Sequence, residues 1–84
     1  MNNNSIIEEL SQYNEYAIIL DGFDDAIVGI FERRVLVYDF NKVIEILMIR
    51  DNMSQTDALE FYYYNIEQPF ADHYPIFIEK QILL

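Results

Sequence analysis

Apolar residues at helical spacing predict three helices along the chain. In the first, Ile6 and Leu10 lie on one face of a helix over about residues 6–14. Ser5 and Glu8 have the spacing of a capping box, in which each side chain accepts a hydrogen bond from a backbone N–H of the first turn. We therefore expect Ser5 to be the N-cap of this helix.

The second helix is predicted to begin after Asp39, which has the side chain of a good N-cap, and to end around Asn52. Its apolar stripe recurs at spacings of three and four residues and consists of Phe40, Val43, Ile44, Leu47 and Met48. Because Ile46 and Ile49 lie off that stripe, the helix is apolar over more than one face. It is predicted to be sandwiched, or to form half of an interface.

A second capping box, from Ser54 to Asp57, opens the third helix. We expect Pro69 to close this segment, because proline cannot donate to the helical hydrogen-bond ladder. The inner stripe of this helix is predicted to be Ala58, Leu59, Tyr62 and Ile66.

Runs of β-branched and apolar residues predict an antiparallel meander over residues 16–38. It comprises a strand over 16–20, a turn of positive φ at Gly22, a central strand over 24–31, a turn over 32–34 and a strand over 35–38. Residues 75–78 predict a last strand at a sheet edge, where its leading proline is tolerated. The predicted fold is α+β, a three- or four-stranded antiparallel sheet packed with two or three helices, in one domain over residues 1–84.

Composition favours a folded intracellular protein. Just over half of the 84 residues are apolar, and six Phe and seven Tyr supply large side chains for a small core. The chain has no cysteine, so it has neither disulfides nor thiol chemistry, and a reducing cytosol is the expected compartment. No signal peptide is recognised at the N-terminus, and no apolar run approaches the roughly 20 residues of a membrane span.

The charge is strongly negative, because fifteen acidic residues face five basic ones and give a net charge of −10. From Asp51 to Glu79 there are six acids and no Lys or Arg. Direct binding to nucleic acid or to anionic membranes is therefore disfavoured. Two interpretations remain open: general solubility, or an acidic face that binds a basic groove of a partner protein, such as a groove that normally holds DNA or RNA.

Two groups of residues carry side chains suited to chemistry, and neither is favoured as a site. Asp21, Asp24 and Asp25 lack the spacing of an EF-hand loop, and in a strand the last two would point to opposite faces. They are expected to lie at a polar turn, with a partner-binding acidic loop as the alternative. His73 is the only histidine and is expected on the surface, so we predict no catalytic residues, metal or cofactor.

The run Phe61-Tyr62-Tyr63-Tyr64 is the strongest candidate for a contact surface. At about 100° per residue, four successive side chains cannot all enter one core, so Tyr62 is predicted to pack inward. The others either form a protein interface or are covered by the apolar tail of residues 82–84. The predicted partner-binding residues are Glu60, Phe61, Tyr63, Tyr64 and Glu67, together with Asp24 and Asp25.

Several ordered segments of the chain carry a family resemblance. They are the string DGFDDAIVG at 21–29, VLVYD at 35–39, Lys42, EILM at 45–48, Arg50-Asp51, Met53, Ala58 and Asn65. In these residues the chain resembles a family of small proteins of unknown biochemistry that are encoded in bacteriophage and prophage genomes. The resemblance implies a phage setting and a shared fold, but no activity. The chain departs from the family pattern at residues 32–34 and 66–74, where relatives tend to carry glycines.

These observations lead to three functional hypotheses. The first is a non-catalytic phage protein that acts in the host cytoplasm and inhibits a host protein, namely a component of an antiviral defence system. The second is a module that sequesters a nucleotide signal, with Arg33, Arg34, Lys42 and tyrosines around the ligand. The third is a homodimeric structural accessory protein, for which exposed Ile46 and Ile49 would form the contact.

Overall fold

A β-hairpin forms the centre of the fold. The computed structural model describes residues 3–67 and 72–79. In it, β1 (Ile27–Phe31) pairs antiparallel with β2 (Val35–Asp39), and β3 (Ile76–Ile78) pairs parallel with the other edge of β2. The α+β class is confirmed, but the sheet is mixed rather than antiparallel. Among the described strands the order is β1-β2-β3, so β2 is the central strand, and the prediction that residues 24–31 form it is wrong.

Three α-helices surround this sheet in the described part of the chain: α1 (Asn3–Tyr13), α2 (Phe40–Arg50) and α3 (Gln55–Phe61), the last continued by a π-helical turn (Tyr62–Ile66). Two predicted caps are confirmed, because the Asp39 side chain accepts from the N–H of Asn41 and Ser54 accepts from the N–H of Asp57, both at 3.1 Å.

The predicted N-cap of α1 is wrong. The helix begins at Asn3, so Ser5 lies within its first turn. The helical conformation extends two residues N-terminal to Ser5, so Ser5 does not lie at the helix end where a capping box acts. The predicted closing residue of the third helix, Pro69, and the tail of residues 82–84 lie outside the described residues.

The predicted strand over residues 16–20 is absent. Its amides find partners that cannot build a ladder: the N–H of Ile18 donates to the carbonyl of His73, and the N–H of Leu20 donates to the Tyr38 hydroxyl, both at 2.9 Å. A strand requires a regular series of bonds to one neighbouring strand, and these two bonds go to a loop and to a side chain.

The core lies between the sheet and the three helices. Its buried members include Leu10 of α1, Leu36 and Tyr38 of β2, and Leu47 of α2. The predicted inner stripe of α3 is confirmed, with Ala58, Tyr62 and Ile66 buried and Leu59 packed against them. Met48, which was predicted on the inner stripe of α2, is instead 37% exposed.

Candidate functional site

The π-helical turn after α3 places the tyrosine run. The N–H of Tyr62 donates to the carbonyls of both Ala58 and Leu59, and the N–H of Glu67 reaches back five residues to the carbonyl of Tyr62 at 3.0 Å. Tyr62 and Ile66, which are four residues apart, both lie on the buried side. The three residues between them are therefore left on the outer side, and π turns of this kind are frequent at functional sites.

Tyr62 anchors this turn to the core. Its ring meets the rings of Phe40 and Phe77 edge to face, with centroids 4.8 and 5.2 Å apart. Burial raises the pKa of the Tyr62 hydroxyl, and the nearby Glu67 carboxylate adds to the same effect. At the end of the turn, the Tyr74 hydroxyl donates to the carbonyl of Ile66. The turn is thus held at both ends.

Three aromatic side chains point away from this anchor: Phe61, Tyr63 and Tyr64. Together we call them the aromatic surface. They are 37%, 57% and 83% exposed, as the sequence predicts once Tyr62 is buried. Tyr63 is partly ordered by ring contacts with Tyr62 at 5.2 Å and with Phe40 at 6.5 Å. The chain therefore presents three large aromatic rings to solvent, two of which carry a polar hydroxyl.

Acidic side chains flank the aromatic surface. Glu60 and Glu67 are both exposed, one at each end of it. The sequence supplies no Lys or Arg between residues 51 and 79 that could neutralise them from the same segment. The five residues of this segment that are predicted to bind a partner thus lie together around the C-terminal end of α3.

Asp24 and Asp25 lie elsewhere. Both belong to a 3-10 turn over Asp24–Ala26, so the expectation that they alternate along a strand is wrong. β1 starts only at Ile27, so both aspartates precede the strand. Asp25 lines a groove beside α2, and the charge of the half-buried Asp24 contributes to the raised pKa of Tyr38.

A clamp built on Arg50 holds the loop before this turn. Gly22 has a φ of +87°, and the N–H of Phe23 closes the turn onto the carbonyl of Leu20 at 3.3 Å. Arg50 donates to the Gly22 carbonyl at 3.2 Å and lies 4.8 Å above the Phe23 ring. Its two hydrogen bonds to Asp51 lower the pKa of that carboxyl. Sequence reasoning missed this clamp, because nothing local links Arg50 to a glycine 28 positions earlier.

The basic residues of the nucleotide hypothesis are not brought together. Arg33 lies over the Tyr13 ring at 5.0 Å, at a hairpin turn where Glu32 and Arg33 both have positive φ. Lys42 lies beyond the opposite end of β2, a strand about 17 Å long, and pairs with Glu45 at 3.4 Å. One small ligand could not contact both ends.

Asn14 links the end of α1 to the hairpin turn and to His73, which is therefore held by hydrogen bonds. The Asn14 side chain accepts from the N–H of Tyr16 at 3.1 Å, so its amino group faces the Arg34 carbonyl at 2.7 Å and His73 Nδ1 at 3.0 Å. Nδ1 therefore acts as an acceptor. The side chain is half-buried, so His73 is only partly exposed at the surface where the sequence places it.

Within residues 3–67 and 72–79, no three His, Asp or Glu side chains are grouped so that they could hold a metal ion. No helix in the same ranges has the length and apolar character needed to cross a membrane. Comparison with known proteins gives no matching family model, no matching curated protein and no matching solved structure.

Proposed function

We propose that this chain is a non-catalytic phage protein that binds a host protein and inhibits it, and that the aromatic surface with its flanking acids makes the contact. The observation that carries the proposal is the exposure of Phe61, Tyr63 and Tyr64 on a turn anchored by the buried Tyr62. The host setting rests on the resemblance to phage-encoded proteins. Inhibition of an antiviral defence system is the purpose that fits such a setting.

The residue types support a protein partner. Tyrosine is enriched at protein interfaces because its ring buries apolar area while its hydroxyl keeps a hydrogen-bonding partner. Because Tyr62 anchors the turn and Tyr63 already contacts Phe40, the Tyr63 side chain loses less freedom on binding than an unsupported ring would. A preorganised patch of this kind can bind tightly with a small area.

The charge defines the chemistry of the partner. Glu60 and Glu67 lie beside the aromatic surface in a segment without a base, and the whole chain carries −10. The complementary surface is therefore basic, with apolar recesses for the three rings. Such complementarity speeds association and is weakened by salt, since the Debye length falls from about 10 Å at 0.1 M to about 3 Å at 1 M.

The first experiment is capture of bacterial proteins on the immobilised chain at low and high salt. We expect a basic protein that binds at low salt and is released at high salt. The double variant Tyr63→Ala/Tyr64→Ala should lose it, whereas Tyr16→Ala, which removes another exposed tyrosine, should retain it. A partner that survives the double variant would contradict the assignment of the surface.

The second experiment addresses inhibition of defence. The chain is expressed in bacteria that each carry one defence system, and phage plaques are counted. Wild-type protein should restore plaques on at least one strain, and the double variant should not. If plaque numbers stay unchanged on every strain while the captured partner is genuine, binding stands and the defence role fails.

A further inference from the structure

A groove of about 330 Å³ lies along one face of α2. Unlike the aromatic surface, it is lined by aliphatic side chains and by charges of both signs. It is lined by five residues of α2, which are Lys42, Glu45, Ile46, Ile49 and Arg50, and by Gly22 and Asp25 from the neighbouring loop. The five follow the spacing of one helical face. Ile49 is 74% exposed, the largest exposure of any isoleucine among the described residues.

The charges that line this groove are balanced. Lys42 and Arg50 supply two positive charges at its two ends, and Asp25 and Glu45 supply two negative ones. These four side chains carry no net charge, and Asp21 and Asp51 add negative charge beside Arg50. In a chain of net charge −10, another acidic protein therefore meets less repulsion here than at a patch made of acids alone. A second copy of the chain is such a protein.

We propose that α2 pairs with α2 of a second copy around a two-fold axis, with the helices antiparallel. A two-fold contact uses the same patch on both copies, so residues must complement one another across the axis. Placing Ile46 opposite Ile49 of the second copy also places Glu45 opposite Arg50. The alternative register, with Ile46 opposite itself, places Lys42 opposite Arg50 and sets like charges together.

Arg50 can hold the Gly22 loop and also pair with Glu45 of the second copy. It uses three hydrogen bonds for Gly22 and Asp51, and its guanidinium carries further N–H groups for another carboxylate. Its side chain remains 44% exposed, as the pairing requires.

The size of the contact predicts a weak dimer. A helix of 11 residues is about 16 Å long, so one face of it buries less than the roughly 800 Å² per partner of a standard interface. We therefore expect monomer and dimer to exchange, with the dimer fraction rising with protein concentration.

Added salt should strengthen the proposed contact between two copies and weaken the proposed contact with a host protein. Two copies of charge −10 repel each other at long range, and salt screens that repulsion. Self-association should therefore tighten as salt is added, whereas binding to a basic host protein should weaken. The proposal does not depend on the proposed function.

The test is sedimentation velocity over a concentration series at low and high salt. We expect a reversible dimer that is favoured by salt. Ile49→Glu should weaken it by at least about tenfold, because the new carboxylate would lie against Ile46 of the second copy. Tyr64→Ala should leave it unchanged. Circular dichroism confirms folding of each variant. A monomer at all concentrations, or a dimer lost on Tyr64→Ala but not on Ile49→Glu, would overturn the proposal.

Disulfide trapping tests the register, since the natural chain has no cysteine. Ile46→Cys and Ile49→Cys proteins are oxidised alone and as an equal mixture. The proposed register predicts that the mixture cross-links faster than either protein alone. Fastest cross-linking of Ile46→Cys with itself would overturn the register.

Discussion

The loop over residues 21–25 and the helix end over residues 57–67 are both rich in acids, yet they fold in opposite ways. In the loop, Arg50 binds the backbone of Gly22 and covers Phe23, whose side chain is buried. In the helix end, the backbone is anchored by Tyr62 while the neighbouring rings are directed outward. The first segment folds against the guanidinium of Arg50, which comes from α2 and not from the segment itself.

The difference shows that acid density alone does not identify a contact surface. What distinguishes the two segments is the direction of the aromatic side chains between the acids. Phe23 is 7% exposed and Tyr64 is 83% exposed. A buried ring uses its apolar area for folding, so only the second segment keeps that area for a partner.

Removing the anchor of the helix end should have the largest effect. Tyr62→Ala leaves a cavity between Phe40 and Phe77 and should lower the free energy of unfolding by about 3–5 kcal/mol. Tyr64→Ala is the matched control and should change it by less than about 0.5 kcal/mol. Urea titrations followed by circular dichroism measure both. Equal losses would show that Tyr64 is packed.

Alkaline pH should loosen the anchors of both segments. Tyr38, whose hydroxyl holds the amide of Leu20 ahead of the loop, has its pKa raised by burial from 10.0 to about 12. Burial also raises the pKa of Tyr62. Between pH 10 and about 12 the unfolded chain therefore binds fewer protons than the folded one, and stability falls by about 1.4 kcal/mol per pH unit for each such tyrosine.

The measurement is the urea midpoint at a series of pH values from neutral to alkaline. Tyr38→Phe removes one of the buried ionising groups, so its decline should be less steep than that of the wild type. The same slope in both proteins would contradict the assignment to Tyr38.

The clamp on the loop should be sensitive at Gly22. Gly22→Ala forces an alanine into a left-handed φ of +87° and brings its Cβ against Nη1 of Arg50. We expect a loss of about 1–2 kcal/mol in the free energy of unfolding. Gly29→Ala is the control, since a Cβ there meets nothing within 4 Å. A comparable loss at both positions would argue against the clamp.

The cap that starts the helix-end segment should have a smaller effect. Ser54→Ala removes the acceptor for the N–H of Asp57 and should cost about 1 kcal/mol. Thr56→Ala changes an exposed residue of the same turn and should be nearly neutral. If the two variants unfold at the same urea concentration, the Ser54 bond contributes nothing measurable.

Local features of this fold could be predicted from the sequence. The caps Asp39 and Ser54 accept hydrogen bonds from amides two and three residues away. The sequence motif therefore contains both partners of the bond. The burial of Tyr62 follows from helical periodicity in the same way. The outward direction of the neighbouring rings then follows from geometry.

Features that depend on distant parts of the chain could not be predicted. Residues 16–20 have the composition of a strand, but their amides bind the His73 carbonyl and the Tyr38 hydroxyl, which lie far along the sequence. The parallel direction of β3 depends on where the chain returns after α3. The π turn has no sequence motif, and the Arg50 clamp joins two segments with nothing local in common.

The central strand also has a consequence for the order in which the molecule assembles. β2 pairs with β1 across a short turn, but it pairs with β3 only after two helices have been made. Contacts between distant segments carry the greater loop-closure entropy, so we expect β3 to dock after the folding transition state. Substitutions in β3 should then accelerate unfolding and leave the folding rate almost unchanged. We accordingly expect the lifetime of the native molecule to be sensitive to β3, the shortest strand among the described residues.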